Sequence, residues 1–205
     1  MKLIKKTISI HGGREIPVLA PLAPNSNITS GHDHKGDIMI WGNGSGYQYL
    51  AECFSIASEL NKDEILYVPS QFKAGHKFVQ TFDNCDYNLS IVCTNYCEIQ
   101  ISPKDIDKIL RAKVYTEQII YRSPTTRKEF IERWKTDRRL TVKIYKRGLY
   151  ISTNKDGFSS LSFGACNIAE YGDNYYEDFL PHAHYDWNEN TSASVGVTLY
   201  HWHNK

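Results

Sequence analysis

The chain has 205 residues, of which 41% are apolar, 13% aromatic and 23% charged, and its formal net charge is +1. That length holds one compact domain or two small ones, and no apolar run approaches the roughly 18–20 residues a bilayer span needs, so a membrane-spanning protein is not expected. The opening MKLIKKTISIHGG lacks the cleavage site of a secretion signal, and five scattered cysteines without a CxxC pair fit free thiols better than a disulfide framework; both point to the cytoplasm.

Leu3 to Ile10 alternates as a strand, His11-Gly12-Gly13 is a turn, and Glu15 to Leu19 is a second short strand. Pro21 to Gly31 has the composition of a loop, and Asp37 to Trp41 is the next strand. A helix is expected from about Tyr47 to Leu60, because Tyr47, Leu50, Phe54 and Ala57 share one face. Ser45 or Gly46 would start it and Asn61 would end it. Glu64 to Val68 is a strand closed by Pro69, and His76 to Phe82 with Tyr87 to Cys93 reads as an antiparallel pair. Ser102-Pro103-Lys104-Asp105 is a helix start, predicting a helix to about Ala112 with Ile106, Ile109 and Leu110 inward. Val114 to Tyr121 favours a strand. Phe130, Ile131 and Trp134 mark a helix ending near Asp137. Arg139 to Tyr145 and Tyr150 to Thr153 form a hairpin. After a polar, aromatic loop at Gly172 to Pro181, His182 to Trp187 and Ala193 to His203 form the last hairpin.

Trp41 to Leu60 recurs in degenerate form at Thr153 to Tyr171. Asn43 matches Asn154, Gly46 matches Gly157, Tyr47 matches Phe158, Leu50 matches Leu161 and Glu59 matches Glu170. The matched Asn and Gly are read as structural turn residues, the Gly serving either an unusual backbone angle or a close approach. The expected fold is α+β, with antiparallel sheets and helices packed on one face, in two related halves. Residues 1–100 form the first half, 101–138 a connector with a basic surface, and 139–205 the second half; one compact domain can contain all three.

Six of the eight histidines form His-x-His pairs: His32/His34, His182/His184 and His201/His203. Positions i and i+2 of a strand face one side, so His182, His184, His201 and His203 are candidate ligands for zinc. The competing reading is half-exposed histidines alternating with Tyr185, Tyr200 and Trp202 on a sheet. His76 with Cys85, Cys93 and Cys97 matches no closed zinc pattern. Asn43-Gly44-Ser45-Gly46 is not a P-loop, having no GKS or GKT.

Charge is uneven: the net is −2 over residues 1–100, +8 over 101–150 and −5 over 151–205. Lys128, Arg133, Lys135, Arg138, Arg139, Lys143, Lys146 and Arg147, with Trp134 and Tyr145 among them, allow a nucleic-acid or an acidic-protein partner. No helix-turn-helix, zinc-finger or RNA-binding signature accompanies them. For protein binding, the candidate contacts are the aromatics Tyr175, Tyr176, Trp187 and Trp202, if exposed, and the acids Glu177, Asp178 and Asp186.

Ile40-Trp41-Gly42-Asn43 followed by Gly46-Tyr47-Gln48-Tyr49-Leu50-Ala51, with Ala57 later, resembles the strand–turn–helix segment of a small bacterial immunity-protein family whose members neutralise secreted polymorphic toxins. His182-x-His184-Tyr185-Asp186 before Val195 to Leu199 is similar to the histidines, acid and final strand of that family. The second copy keeps Asn154, Gly157 and Leu161 but lacks the Gly-Asn pair and Leu-Ala, and the first copy has only His76 at the related place. The resemblance spans roughly half of the chain in two pieces. It implies a cytoplasmic inhibitor that binds a cognate toxin without catalysis, with no catalytic residues and no cofactor. The alternatives are a metal-dependent hydrolase using the C-terminal histidine pairs, and a nucleic-acid-binding protein using the basic middle region.

Overall fold

A computed structural model describes residues 1–9, 13–82, 84–125, 140–171, 182–185 and 196–202. Eleven strands and four helices appear among them. The strands are β1 (Lys2–Ser9), β2 (Glu15–Pro21), β3 (Ile28–His32), β4 (Ile38–Gly42), β5 (Ile65–Val68), β6 (Asp86–Asn95), β7 (Val114–Tyr121), β8 (Thr141–Tyr145), β9 (Gly148–Thr153), β10 (His182–Tyr185) and β11 (Val197–His201). The helices are α1 (Gly44–Ser58), α2 (His76–Thr81), α3 (Pro103–Arg111) and α4 (Lys155–Tyr171). The class is α+β.

The strands form one mixed sheet with two branches. One branch runs β8-β9-β6-β5-β2-β1-β7 and the other β10-β11-β4-β3, and they join where β3 meets the first residues of β6. The expected antiparallel hairpins β8/β9 and β10/β11 are present, and β3/β4 and β5/β6, which were not expected, pair antiparallel as well. Parallel pairing then crosses between the halves. β6 of the first half runs beside β9 of the second, and β11 of the second beside β4 of the first. The registers are equivalent: Ile91 lies opposite Leu149 and Val197 opposite Ile38. Matching bonds close both ladders, Tyr96 N to Thr153 O at 3.1 Å and Trp202 N to Gly42 O at 2.7 Å. Each half therefore completes its sheet with a hairpin of the other, and the main core draws on both.

The strand–turn–helix unit is the same in both copies. Asn43 accepts the Gly46 amide at 3.0 Å, and Asn154 accepts the Gly157 amide at 2.8 Å. Each side chain satisfies one of the amides a helix start leaves unbonded. α1 thus begins earlier than the apolar period indicates, because the cap at Asn43 and not the first apolar residue sets its start. A close approach explains Gly46: a Cβ there would lie 2.2 Å from the Asn27 carbonyl oxygen.

α1 and α4 pack against each other on one sheet face. Leu50, Phe54, Leu161 and Ala165 join Ile40, Ile91, Ile151 and Leu199 in the main core. Phe54 and Phe158 stack at 6.3 Å between centroids. Fully burying such side chains is worth roughly 1.5–3 kcal/mol each. The opposite face carries α3, whose Ile106 and Ile109 meet Val18, Val92 and Tyr150, and α2.

Three local expectations are corrected. Residues 76–81 are helix and not strand, because Phe78 and Phe82, four apart, both reach the cluster around Trp41 and Trp202. The stretch 21–31 contains β3, whose small residues Ser30 and Gly31 let β6 approach; a Cβ on Gly31 would lie 1.8 Å from the Asp86 carbonyl oxygen. α1 is capped by Glu59 and not ended at Asn61. The expected helix near Phe130–Asp137 lies outside the described residues.

Candidate functional site

The strands β1, β2, β5, β6 and β9 alternate cleanly between the two faces. Leu3, Leu19, Leu66, Ile91 and Ile151 point to α1 and α4, while their neighbours Ile4, Val18, Tyr67, Val92 and Tyr150 point the other way. α3 covers only part of that second face. The remainder is an open concave groove of about 1030 Å³.

Its floor combines apolar and hydroxyl groups. Ile4, Val18 and Ala20 supply the apolar part. Tyr67 Oη lies 3.1 Å from Ser90 Oγ, the Ser70 amide donates to Ser90 Oγ at 3.4 Å, and Ser70 Oγ donates to Asn88 at 3.2 Å. Asn88 sits at φ 70°, a left-handed conformation that Asn tolerates better than most residues. Burial raises the Tyr150 phenol above its ordinary value, with Arg111 acting in the opposite sense.

The rims differ. One is made of Pro21, Leu22, Pro24 and Pro69, with Leu22 exposed. Cations border the groove at two separate places, Arg111, Lys146 and Arg147 on the β9 side and Lys6 on β1, four strands away. Asp107 holds two of these cations, pairing with Arg111 and, at 2.8 Å, with Lys146 Nζ. Lys146, at φ 53°, forms with Arg147 the two-residue turn between β8 and β9, which places both at the groove's edge. An arrangement of this kind can receive an apolar side chain on its floor and a carboxylate at its rim.

A second cavity, of about 580 Å³, lies at the β3–β4 turn. It is lined by His32, His34, Cys85 and Asp86, with His32 Nε2 3.3 Å from Asp86 Oδ2. Among the described residues, no three His, Cys, Asp or Glu side chains are grouped so as to hold a metal ion.

The residues singled out in the sequence fall as follows. Tyr175, Tyr176, Glu177, Asp178, Asp186, Trp187 and His203 lie outside the described residues. Trp202 is only 6% exposed and packs edge-on against Phe78 and Phe82, so the exposure its docking role requires is not met. His201 is fully buried, stacked 6.3 Å from Tyr47. Tyr47 Oη reaches the carbonyls of Ile40 at 2.6 Å and Tyr200 at 2.7 Å, tying β4 to β11. For His182 and His184 the backbone is described: they pair with Tyr200 and Thr198, the positions that alternate with 201. Of the basic middle, Lys143, Lys146 and Arg147 are described, and the last two belong to the groove rim.

Sequence reading missed the groove. Its one available signal was the alternation Ile4-Lys5-Lys6 and Tyr67-Val68, with Ser90 and Val92 out of phase with Ile91. No family model, curated protein or solved structure matches the chain. Among the described residues, no helix is long and apolar enough to cross a membrane.

Proposed function

We propose that this chain is a non-catalytic protein-binding protein, of the kind that neutralises a bacterial toxin by direct binding. The observation that carries the reading is the concave sheet face, with its apolar and hydroxyl floor and with both apolar and cationic side chains at its borders. Such a surface supplies pockets for side chains and charge to steer an acidic partner. The toxin-neutralising part rests on the likeness of the 40–51 segment to immunity proteins. Tyr175, Tyr176 and Trp187 would add aromatic anchors.

Titration calorimetry of the full chain against a candidate toxin tests the reading. Tight binding is expected, weakened by roughly tenfold, or about 1.4 kcal/mol, when Arg147→Glu reverses a rim charge. Trp187→Ala should weaken it as well while leaving the fold intact. Affinity unchanged by both substitutions overturns the proposal. Salt-sensitive binding to DNA or RNA that is lost with Arg147→Glu would favour the nucleic-acid reading instead.

A further inference from the structure

β7 closes one end of the seven-stranded branch and, among the described residues, pairs only with β1. It is eight residues long, VYTEQIIY, and contains neither Pro nor Lys, two residues that commonly protect a sheet edge. Its register with β1 shifts near its start, between the partners of Thr7 and Ile8, which leaves Thr116–Tyr121 as a regular, unbroken edge. Five large apolar side chains are exposed among the described residues, and Val114, Ile119 and Tyr121 are three of them; Ile119 is 67% and Tyr121 70% exposed. A row of backbone donors and acceptors with no strand partner among the described residues, beside exposed apolar groups, is a template for another strand.

We infer that this edge pairs with β7 of a second copy, in antiparallel register about a two-fold axis at Ile119. A two-fold axis perpendicular to the sheet keeps each face on its own side, so opposed positions must differ by an even number. Centring on Glu117 would set two carboxylates opposite each other, which is unfavourable. Centring on Ile119 sets Ile119 against Ile119 and Glu117 against Tyr121 of the other copy. The two most exposed apolar side chains become covered, and the phenol of each Tyr121 meets the one carboxylate on the facing strand. Glu117 already lies 3.4 Å from Lys6 Nζ on the same face, so its charge stays compensated in the pair. The occupant is therefore a copy of this strand, because its own charge and apolar pattern match it when reversed. The inference is independent of the proposed partner in the groove.

Sedimentation of the full chain over a wide concentration range tests it. A concentration-dependent dimer is expected, with β7 amides gaining protection from hydrogen exchange as it forms. Ile119→Lys, which opposes two lysines at the axis, should leave a monomer with unchanged circular dichroism. Ile119→Cys, in a Cys97→Ser background, should cross-link to a dimer under mild oxidation, since opposed strand positions fall within disulfide reach; Thr116→Cys should not. A chain monomeric at every concentration, or a dimer indifferent to Ile119→Lys, overturns the inference. Protection of β7 that appears only when a different protein is added overturns it too, in favour of that protein's strand.

Discussion

Ser162 donates its hydroxyl hydrogen to the backbone carbonyl of Ala51 at 2.8 Å, across 111 residues of chain. The two capping asparagines, Asn43 and Asn154, stand the same distance apart in sequence, so this bond joins equivalent points of the two helices. It is buried between the two packed helices α1 and α4. Ser162→Ala should cost about 0.5–1.5 kcal/mol in urea unfolding, the worth of one net hydrogen bond. Ser162→Val should cost more, about 1–3 kcal/mol, because it adds volume between packed helices.

The two matched glycines should not respond alike. Gly46→Ala drives a methyl into the Asn27 carbonyl, which belongs to backbone held by Asn43. At Gly157 the nearest atoms belong to the Thr153 side chain, with Oγ1 at 2.1 Å. Gly46→Ala is expected to destabilise by about 1–3 kcal/mol, and Gly157→Ala to be largely relieved by a second change, Thr153→Ala. Thermal unfolding of the single and double variants checks both.

Arg122 and Glu64 form the most buried ion pair described. One Arg122 nitrogen lies 2.7 Å from each carboxylate oxygen, and the Glu64 side chain is 4% exposed. The Asn61 amide donates to the same carboxylate at 2.8 Å. The pair ties the end of β7 to the start of β5. Arg122→Ala should cost about 3–5 kcal/mol, because it leaves a buried carboxylate without its partner. Arg122→Met with Glu64→Leu should recover much of that loss in the same denaturation measurement.

Burial pushes the Cys53 and Cys93 thiols above the ordinary thiol range. Hydrogen bonding with Tyr49 acts against that rise at Cys53 but is the smaller effect. In the unfolded chain both thiols lose their protons at ordinary values, whereas the folded chain keeps them. Above that range the unfolded state binds fewer protons, so stability falls as pH rises, by about 1.4 kcal/mol per pH unit for each thiol. Below the range the effect is absent. Urea unfolding from pH 7 to 10 should show the decline, and Cys53→Ala with Cys93→Ala should flatten it. At pH 8, Cys97, which is exposed, should be alkylated while Cys53 and Cys93 are spared.

Local signals survived into the structure where the responsible atoms are close in sequence. Ser102 caps α3 through Asp105, and Val114–Tyr121 is a strand with the expected bounds. The recurrence of Asn and Gly before two helices marks a shared turn, because capping is a contact across three residues. The stretch 76–82 misled, since its apolar spacing suits either strand or helix, and aromatic partners from β4 and β11 decide between them.

Chain order and composition alone determined the α+β class, the repeated strand–turn–helix unit and most strand positions, all of which depend on backbone preference and short-range periodicity. Tertiary structure decided that the halves trade hairpins, that Trp202 and His201 are interior, and that Lys6, Arg111, Lys146 and Arg147 all line one concave face. Those outcomes depend on which strands become neighbours. Neighbour choice follows from covering apolar area over the whole chain, so residues far apart in sequence must be weighed together before any one of them has a place.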